Sequence, residues 1–407
     1  MIRPALLAAL FLTVAQSSAQ DIAVRGRIVH TMAGPRIEDG VVLVQGGKIA
    51  AVGRASEVSI PDGVRVLEAA VVTPGLVDAH SSVGLAGWLN YAQDRDELER
   101  SAAVQPELRA IDAYNPREPL IEWVRGFGVT TIHTGHAPGA VISGQTLIAK
   151  TRGDTVDQAV IVPCAMVAAT LGAGAVHQKG DGEGQPGTRA KAAALLRAEL
   201  VRARTWIEKR DKALAKSEPV ERDLRAEIMA DVLEQRVPLL VTAQRAQDIS
   251  TALRLQEEFG FRLVLDGAAE GPLVLDQLRA AHVPVIVHPP MFRAVGETEN
   301  LSFETPGLLR KAGIPLALQS GYESYVPRTR VLLFEAAEAA AYGLAFEEAL
   351  GLVTIDAARL LGIDARVGSL ENGKDGDIAL YDADPFEYTS HCVGVVIEGR
   401  VVSDTPR

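Results

Sequence analysis

Apolar positions at both ends of the chain come in short runs closed by turn residues. "IAVRGRIVH", "GVVLVQGGKIAAVG" and "VRVLEAAVVTPG" follow one another from Ile22, with Gly-Gly and Asp-Gly between them, the punctuation of an antiparallel sheet. "GDIALYDAD" and "CVGVVIEGRVVSD" repeat the style near the C-terminus. The two ends are therefore expected to fold together, residues 20–70 and 363–407 forming one small β-sandwich.

The long middle has a different rhythm. Apolar runs rich in Val, Ile and Leu, "GVTTIHTG", "VPLLVTAQ", "FRLVLDGA", "VPVIVHPP" and "IPLALQSG", alternate with helical stretches such as "AQDISTALRLQEEFG". Strands apolar on both faces and separated by helices imply parallel βα units. With the strand ending at His80 and the runs "TLIAK" and "CAMVAAT", eight strands can be counted. The expected fold class is thus α/β, a (β/α)₈ TIM-like barrel over residues 71–362 with the β-sandwich beside it. The charged helical run Thr188–Lys216 is read as part of an insertion, residues 188–235, near the barrel mouth, after a Gly-rich flexible loop from Gly180 to Gly187.

Composition narrows the partners. The chain has 407 residues and a formal charge of −11, which disfavours nucleic acid and anionic membranes and leaves a small molecule as the expected partner. Residues 1–19 carry Arg3, an apolar run and a small-residue exit at Ala19. That pattern is a secretory signal, too short for a stable membrane span, and predicts an exported, periplasmic or extracellular protein. Cys164 and Cys392 are read as small buried residues rather than a bridge. A homo-oligomer is compatible with all of this.

Two stretches then carry a resemblance. "VVTPGLVDAH" and "ALGLVTIDAARLLGIDARVGSLENGKDGDIALYDADP" make the chain similar to the amidohydrolase superfamily, particularly its imidazolonepropionase-related exported members. The resemblance implies hydrolysis of a non-peptide carbon–nitrogen bond at a site of one or two divalent metals, commonly zinc. It also implies where the ligands would sit. His80 occupies the first imidazole position, but Ser82 stands at the second, Thr242 and Gln244 at those of the fifth strand, Gly267 at that of the sixth and Gly321 at the expected Asp. Lys150 aligns poorly with a bridging Lys. One imidazole cannot hold zinc against water, so no metal or other cofactor is expected. Zinc enters only through a rebuilt site, for which His80, His133 (or His136) and His288 are the candidates.

Chemistry in such a barrel gathers at the C-terminal strand ends. The candidate catalytic residues there are His80, Asp266 and Glu323, with Glu270 and Gln319 beside them. His133, His136, Arg109, Gln244 and His288 are candidate substrate contacts. Each has a structural reading as well: His80 as an inherited strand-end residue bonded to its neighbours, His288 as a packed core imidazole, Arg109 as a salt-bridge partner. Two functions stay open, a hydrolase with altered metal dependence and a catalytically silent fold that binds a small molecule or a protein.

Overall fold

A computed structural model describes residues 20–89, 91–176, 186–322 and 331–407. The expected signal segment, the Gly-rich loop over most of its length and Glu323 lie outside the described residues.

The two termini do meet, in one hydrogen-bonded sheet rather than the two of a sandwich. Its order is Arg400–Ser403, Cys392–Ile397, Ile378–Tyr381, Arg65–Pro74, Ile22–Val29, Ile37–Gln45, Lys48–Arg54. Gln45 pairs with Lys48 and Ile397 with Arg400, which leaves two-residue turns. Both residues of each turn, Gly46–Gly47 and Glu398–Gly399, have positive φ, the backbone that matches the twist of paired strands. One face buries Ile22, Val24, Val42, Val44, Val72, Ile378 and Leu380. The other contributes Val71, Ala379, Tyr381 and Val395 to the main core shared with the barrel. Burial on both faces explains why "IALY" and "VGVVI" read as continuous apolar runs.

The strand Arg65–Pro74 leads directly into Leu76–Ser81, the first strand of the α/β unit. This unit is TIM-barrel-like, but its strands do not close in one ladder of eight parallel members. Leu76–Ser81 pairs in parallel with Val129–Thr134. Val167–Thr170, Leu239–Ala243, Leu263–Gly267, Val285–Val287 and Leu316–Leu318 form a second parallel series. Between the two series runs an antiparallel ribbon, Ile142–Gln145 and Leu147–Lys150, paired to Val167–Thr170 on one side and to Val129–Thr134 on the other. "TLIAK" is therefore a strand, as expected, but of opposite direction. At the far seam the first and last strands touch through the single bridge Ser81–Gly321. Asp78 reinforces that seam: its carboxylate accepts hydrogen bonds from the backbone N–H of Ser320 at 3.0 Å and from the Ser320 hydroxyl.

The charged run forms the helix Arg189–Ala215, capped by Thr188, whose hydroxyl accepts from the Lys191 N–H at 3.2 Å. It buries a stripe of Ala192, Leu196, Leu200 and Ala203, the i, i+4, i+8 spacing of one helix face. With Leu224–Leu233 it supplies the connection between Val167–Thr170 and Leu239–Ala243. The pair thus stands in the place of a βα crossover rather than being added to one. Among the described residues no helix is long and apolar enough to cross a membrane. Both cysteines are free.

Candidate functional site

Strand periodicity builds the site. Leu240, Val264, Ile286 and Ala317 share an apolar cluster with Val77 and Ala79 inside the ring of strands. Two residues further along each chain stand Thr242, Asp266, His288 and Gln319, all buried. A strand repeats its facing every second residue, so an apolar floor is followed by a polar layer at the C-terminal ends.

Asp266 is the hub of that layer. Its Oδ1 lies 3.2 Å from His80 Nδ1 and accepts from Gln319 Nε2 at 2.7 Å. Its Oδ2 accepts from the Thr242 hydroxyl at 2.6 Å. Burial works to raise its pKa, but the neighbouring His80 and the hydrogen bonds from His80, Thr242 and Gln319 outweigh it and hold the carboxyl below its ordinary range. An ionised carboxylate can only accept, so His80 carries its proton on Nδ1 and presents a bare lone pair at Nε2. The His80 ring also stacks on His133 at 5.6 Å and tilts against Tyr322 at the same centroid distance.

His288 is fixed in the same sense. Its Nδ1 donates to the Pro289 carbonyl at 3.0 Å, and burial lowers its pKa to about 4, so the ring is neutral with its lone pair at Nε2. The Gln319 amide nitrogen also faces the Val287 carbonyl at 3.2 Å, which leaves Oε1 as the open acceptor. His80 Nε2, His288 Nε2 and Gln319 Oε1 are buried and without a hydrogen-bond partner among the described residues.

The other candidates are placed differently. His133 donates from Nδ1 to the Ala79 carbonyl at 2.6 Å and meets the Thr146 hydroxyl with Nε2 at 2.7 Å. Both ring nitrogens are spent, and burial first, then the neighbouring His80, pushes its pKa to about 3. It is a supporting wall for His80, not a substrate contact. His136 is buried over Gly144, outside the network around Asp266. Gln244 accepts from the Ala269 N–H at 3.2 Å and fastens the following loop. Glu270 accepts from the Ala246 N–H at 2.8 Å and from Asn300 at 2.7 Å, closing the start of the helix Ala246–Phe259. Arg109 is exposed and bridges Gln145, itself opposite Val167 at the N-terminal end of its strand, so it lies at the wrong end for substrate. Ser82 donates to the Tyr322 carbonyl at 3.2 Å. Lys150 is buried in ion pairs with Asp375, at 3.0 Å, and Asp377, far down the ribbon from the strand ends.

Gly267 is held as glycine by its surroundings. A Cβ at Gly267 would meet the Gln244 amide at 2.3 Å, and its φ of +89° suits glycine. The inward position on that strand is Asp266, one residue before the glycine, and Gln319 holds the corresponding place on the last strand. Sequence reasoning named Asp266 but overlooked Asp78 and Ser320 as the seam; the period of two, counted from Val264 and Ala317, marks the polar layer directly.

A zinc centre needs three or four donors. His133 has no free nitrogen and both Asp266 oxygens hold hydrogen bonds, so His80 and His288 supply two imidazole lone pairs and, among the described residues, no third ligand joins them. Among the described residues no group of three His, Cys, Asp or Glu is arranged to hold a metal ion. The rebuilt site of His80, His133 and His288 does not form, and the residues present do not fit a zinc centre.

The model of the amidohydrolase family matches residues 220–403. An imidazolonepropionase of Rhizorhabdus wittichii is 26% identical over 380 residues, covering 85% of this chain and 88% of that protein. Amidohydrolase tasK of Hapsidospora irregularis is 25% identical over 90% of this chain, which spans 40% of tasK's length. The crystal structure of an amidohydrolase from Thermotoga maritima MSB8 superimposes with a TM-score of 0.88 at 30% identity, covering 94% of this chain and all of the other. The chain belongs to the amidohydrolase superfamily.

Proposed function

We propose that this protein hydrolyses a non-peptide carbon–nitrogen bond of a small molecule at the C-terminal strand ends, with His80 as the proton-transferring residue and Asp266 orienting it. The observation that carries the reading is the unpaired Nε2 of His80, a buried lone pair whose partner is missing while every other polar atom of the ring is held. An unpaired buried acceptor costs about 1–3 kcal/mol, and three of them stand at the same strand ends. All three accept. The ligand that satisfies them therefore presents N–H or O–H donors, as an amide, urea, amidine or lactam does.

The chemistry follows from those atoms. His80 Nε2 takes a proton from water as the water oxygen attacks the carbon of the C–N bond. The same nitrogen then returns a proton to the departing nitrogen as that bond breaks. Asp266 stays ionised and stabilises the imidazolium formed between the two steps. The membership of the superfamily and the likeness to imidazolonepropionases support a C–N substrate.

A silent fold that only binds is the second reading, favoured by Thr242 and Gln319, which tie down Asp266 where relatives would be expected to carry ligands. One experiment separates the two. Purified protein is offered a panel of lactams, ureas, amidines and N-acyl amino acids, with and without chelator. Turnover that is unaffected by chelator and falls at least about 100-fold in His80→Ala supports the hydrolase. Turnover that survives His80→Ala, or that requires added zinc, overturns the role of His80. Binding of panel members without turnover makes the silent reading the correct one.

A further inference from the structure

The first loop of the α/β unit, after the strand Leu76–Ser81, encloses a cavity of about 430 Å³ that the Asp266 network does not reach. Trp88 and Tyr91 give it aromatic walls, and Asp94, Asp96 and Glu118 line it; none of the lining residues is a Lys, Arg or His. The neighbouring Arg95 turns instead to Glu97, at 3.0 Å.

Glu118 is what points to a ligand. It is 4% exposed, and neither carboxylate oxygen makes a well-formed hydrogen bond, although the backbone N–H groups of Gly84 and Gly87 face it. The Tyr114 hydroxyl, on a residue also 4% exposed, is likewise unpaired. Burial raises the Glu118 pKa to about 7; the backbone N–H groups of Gly84 and Gly87 work against it, and Asp94 and Glu97 add to the rise. A carboxylate is kept buried without a charged partner only at considerable cost, and among the described residues that line the cavity none is positively charged.

We infer that this cavity binds a compact organic cation, an alkylated ammonium, held by Glu118 and the two aspartates and seated against Trp88 and Tyr91. A volume of this size lies within the range of small-molecule pockets. Aromatic faces attract ammonium groups through the ring quadrupole, and quaternary ammonium is the ligand such cages suit best. A metal ion is the poorer fit, because these carboxylates are not grouped as a coordination shell. The site is independent of the catalytic reading: it shares no residue with the Asp266 network.

Isothermal titration of the full protein with choline, and with its neutral isostere 3,3-dimethylbutan-1-ol, tests the inference. At about pH 8, where carboxylates are ionised, choline is expected to bind at least tenfold more tightly than the isostere, about 1.4 kcal/mol of charge recognition. Glu118→Gln should weaken choline about tenfold, and the exposed pair Asp94→Asn and Asp96→Asn, which cannot disturb the core, should weaken it severalfold. His80→Ala should bind choline as the unmodified protein does. Equal binding of the isostere, no choline binding up to about 10 mM, unchanged affinity in Glu118→Gln, or loss of binding in His80→Ala would each overturn the inference.

Discussion

Asp266 and Glu118 are both buried carboxyls, and their surroundings drive them in opposite directions. Asp266 receives three side-chain hydrogen bonds and stays ionised. Asp266→Asn therefore replaces an acceptor-only group by an amide that can also donate, and the His80 tautomer loses its determinant. The expected result is a fall in turnover of about 10²–10⁴-fold with near-normal ligand affinity, read from kcat and KM separately. Glu118 receives no side-chain hydrogen bond among the described residues, and the backbone N–H groups of Gly84 and Gly87 do not offset its burial, so the folded protein holds its proton up to about pH 7 while the unfolded chain releases it near 4.5. The folded state then binds the extra proton across that window. The stability Glu118 contributes is complete below about 4.5 and is lost as pH rises through 7. His288, held down to about 4, acts in the reverse sense: its contribution is present above the ordinary value of 6.5 and is lost as pH falls. Urea midpoints of the wild type and Glu118→Gln, compared at several values from pH 5 to 8, should show the difference between them shifting in favour of Gln as pH rises. Parallel curves would sink the account.

At the scale of elements, what the sequence makes legible depends on which period decides the position. The runs "LLVTA", "LVLDG" and "VIV" announce buried strands because both faces are apolar. That same double burial hides which residues point inward, since outward Leu265 and inward Val264 look alike until one is seen in the outer core and the other in the central cluster. Motif alignment consequently places a ligand at Gly267, whereas facing places Asp266 there. The direction of "TLIAK" is illegible for a different reason: strand direction is set by connection length, and this strand continues Ile142–Gln145, which follows Val129–Thr134 after a link too short for a crossover. Arg109 failed as a site residue because a long loop can reach either end of a barrel, and here it pairs at the lower one. Gly267 supplies the test at this scale. Gly267→Ala must accept a positive φ and press on Gln244, so a loss of about 1–3 kcal/mol is expected in denaturant unfolding. Gln244→Ala in the same chain should relieve the steric part, leaving the backbone cost, and additivity of the two changes would argue against their contact.

Across the whole molecule, the composite sheet and the α/β unit are joined by charge as well as by apolar packing. The stretch "GKDGDIALY" resembles the family for a reason the structure makes physical: Asp375 accepts Lys48 at 2.6 Å and Arg366 at 2.9 Å. Asp375 and Asp377 together enclose Lys150 from the ribbon. Lys48 comes from the N-terminal part of the sheet, Asp375 and Asp377 from the C-terminal part and Lys150 from the α/β unit, so one network spans all three portions of the chain. Lys150 and both aspartates are almost fully buried. Without Lys150, Asp375 keeps Lys48 and Arg366 but the buried Asp377 loses the cation it is paired with, and breaking a buried pair by removing one partner typically costs about 3–5 kcal/mol. By contrast Arg25 and Asp39, paired at 3.0 Å on the exposed face of the same sheet, are solvated whether or not they touch, and such pairs contribute about 0–1 kcal/mol. Lys150→Ala is therefore expected to lower the unfolding free energy severalfold more than Arg25→Ala, in a single transition if the sheet and the α/β unit unfold together. Lys150→Met, which keeps the volume but not the charge, should be no better than Lys150→Ala, because the cost lies in the stranded Asp377 carboxylate. Recovery in Lys150→Met would assign the effect to packing instead. Restoration by a second change, Asp377→Asn, would trace it to the charge.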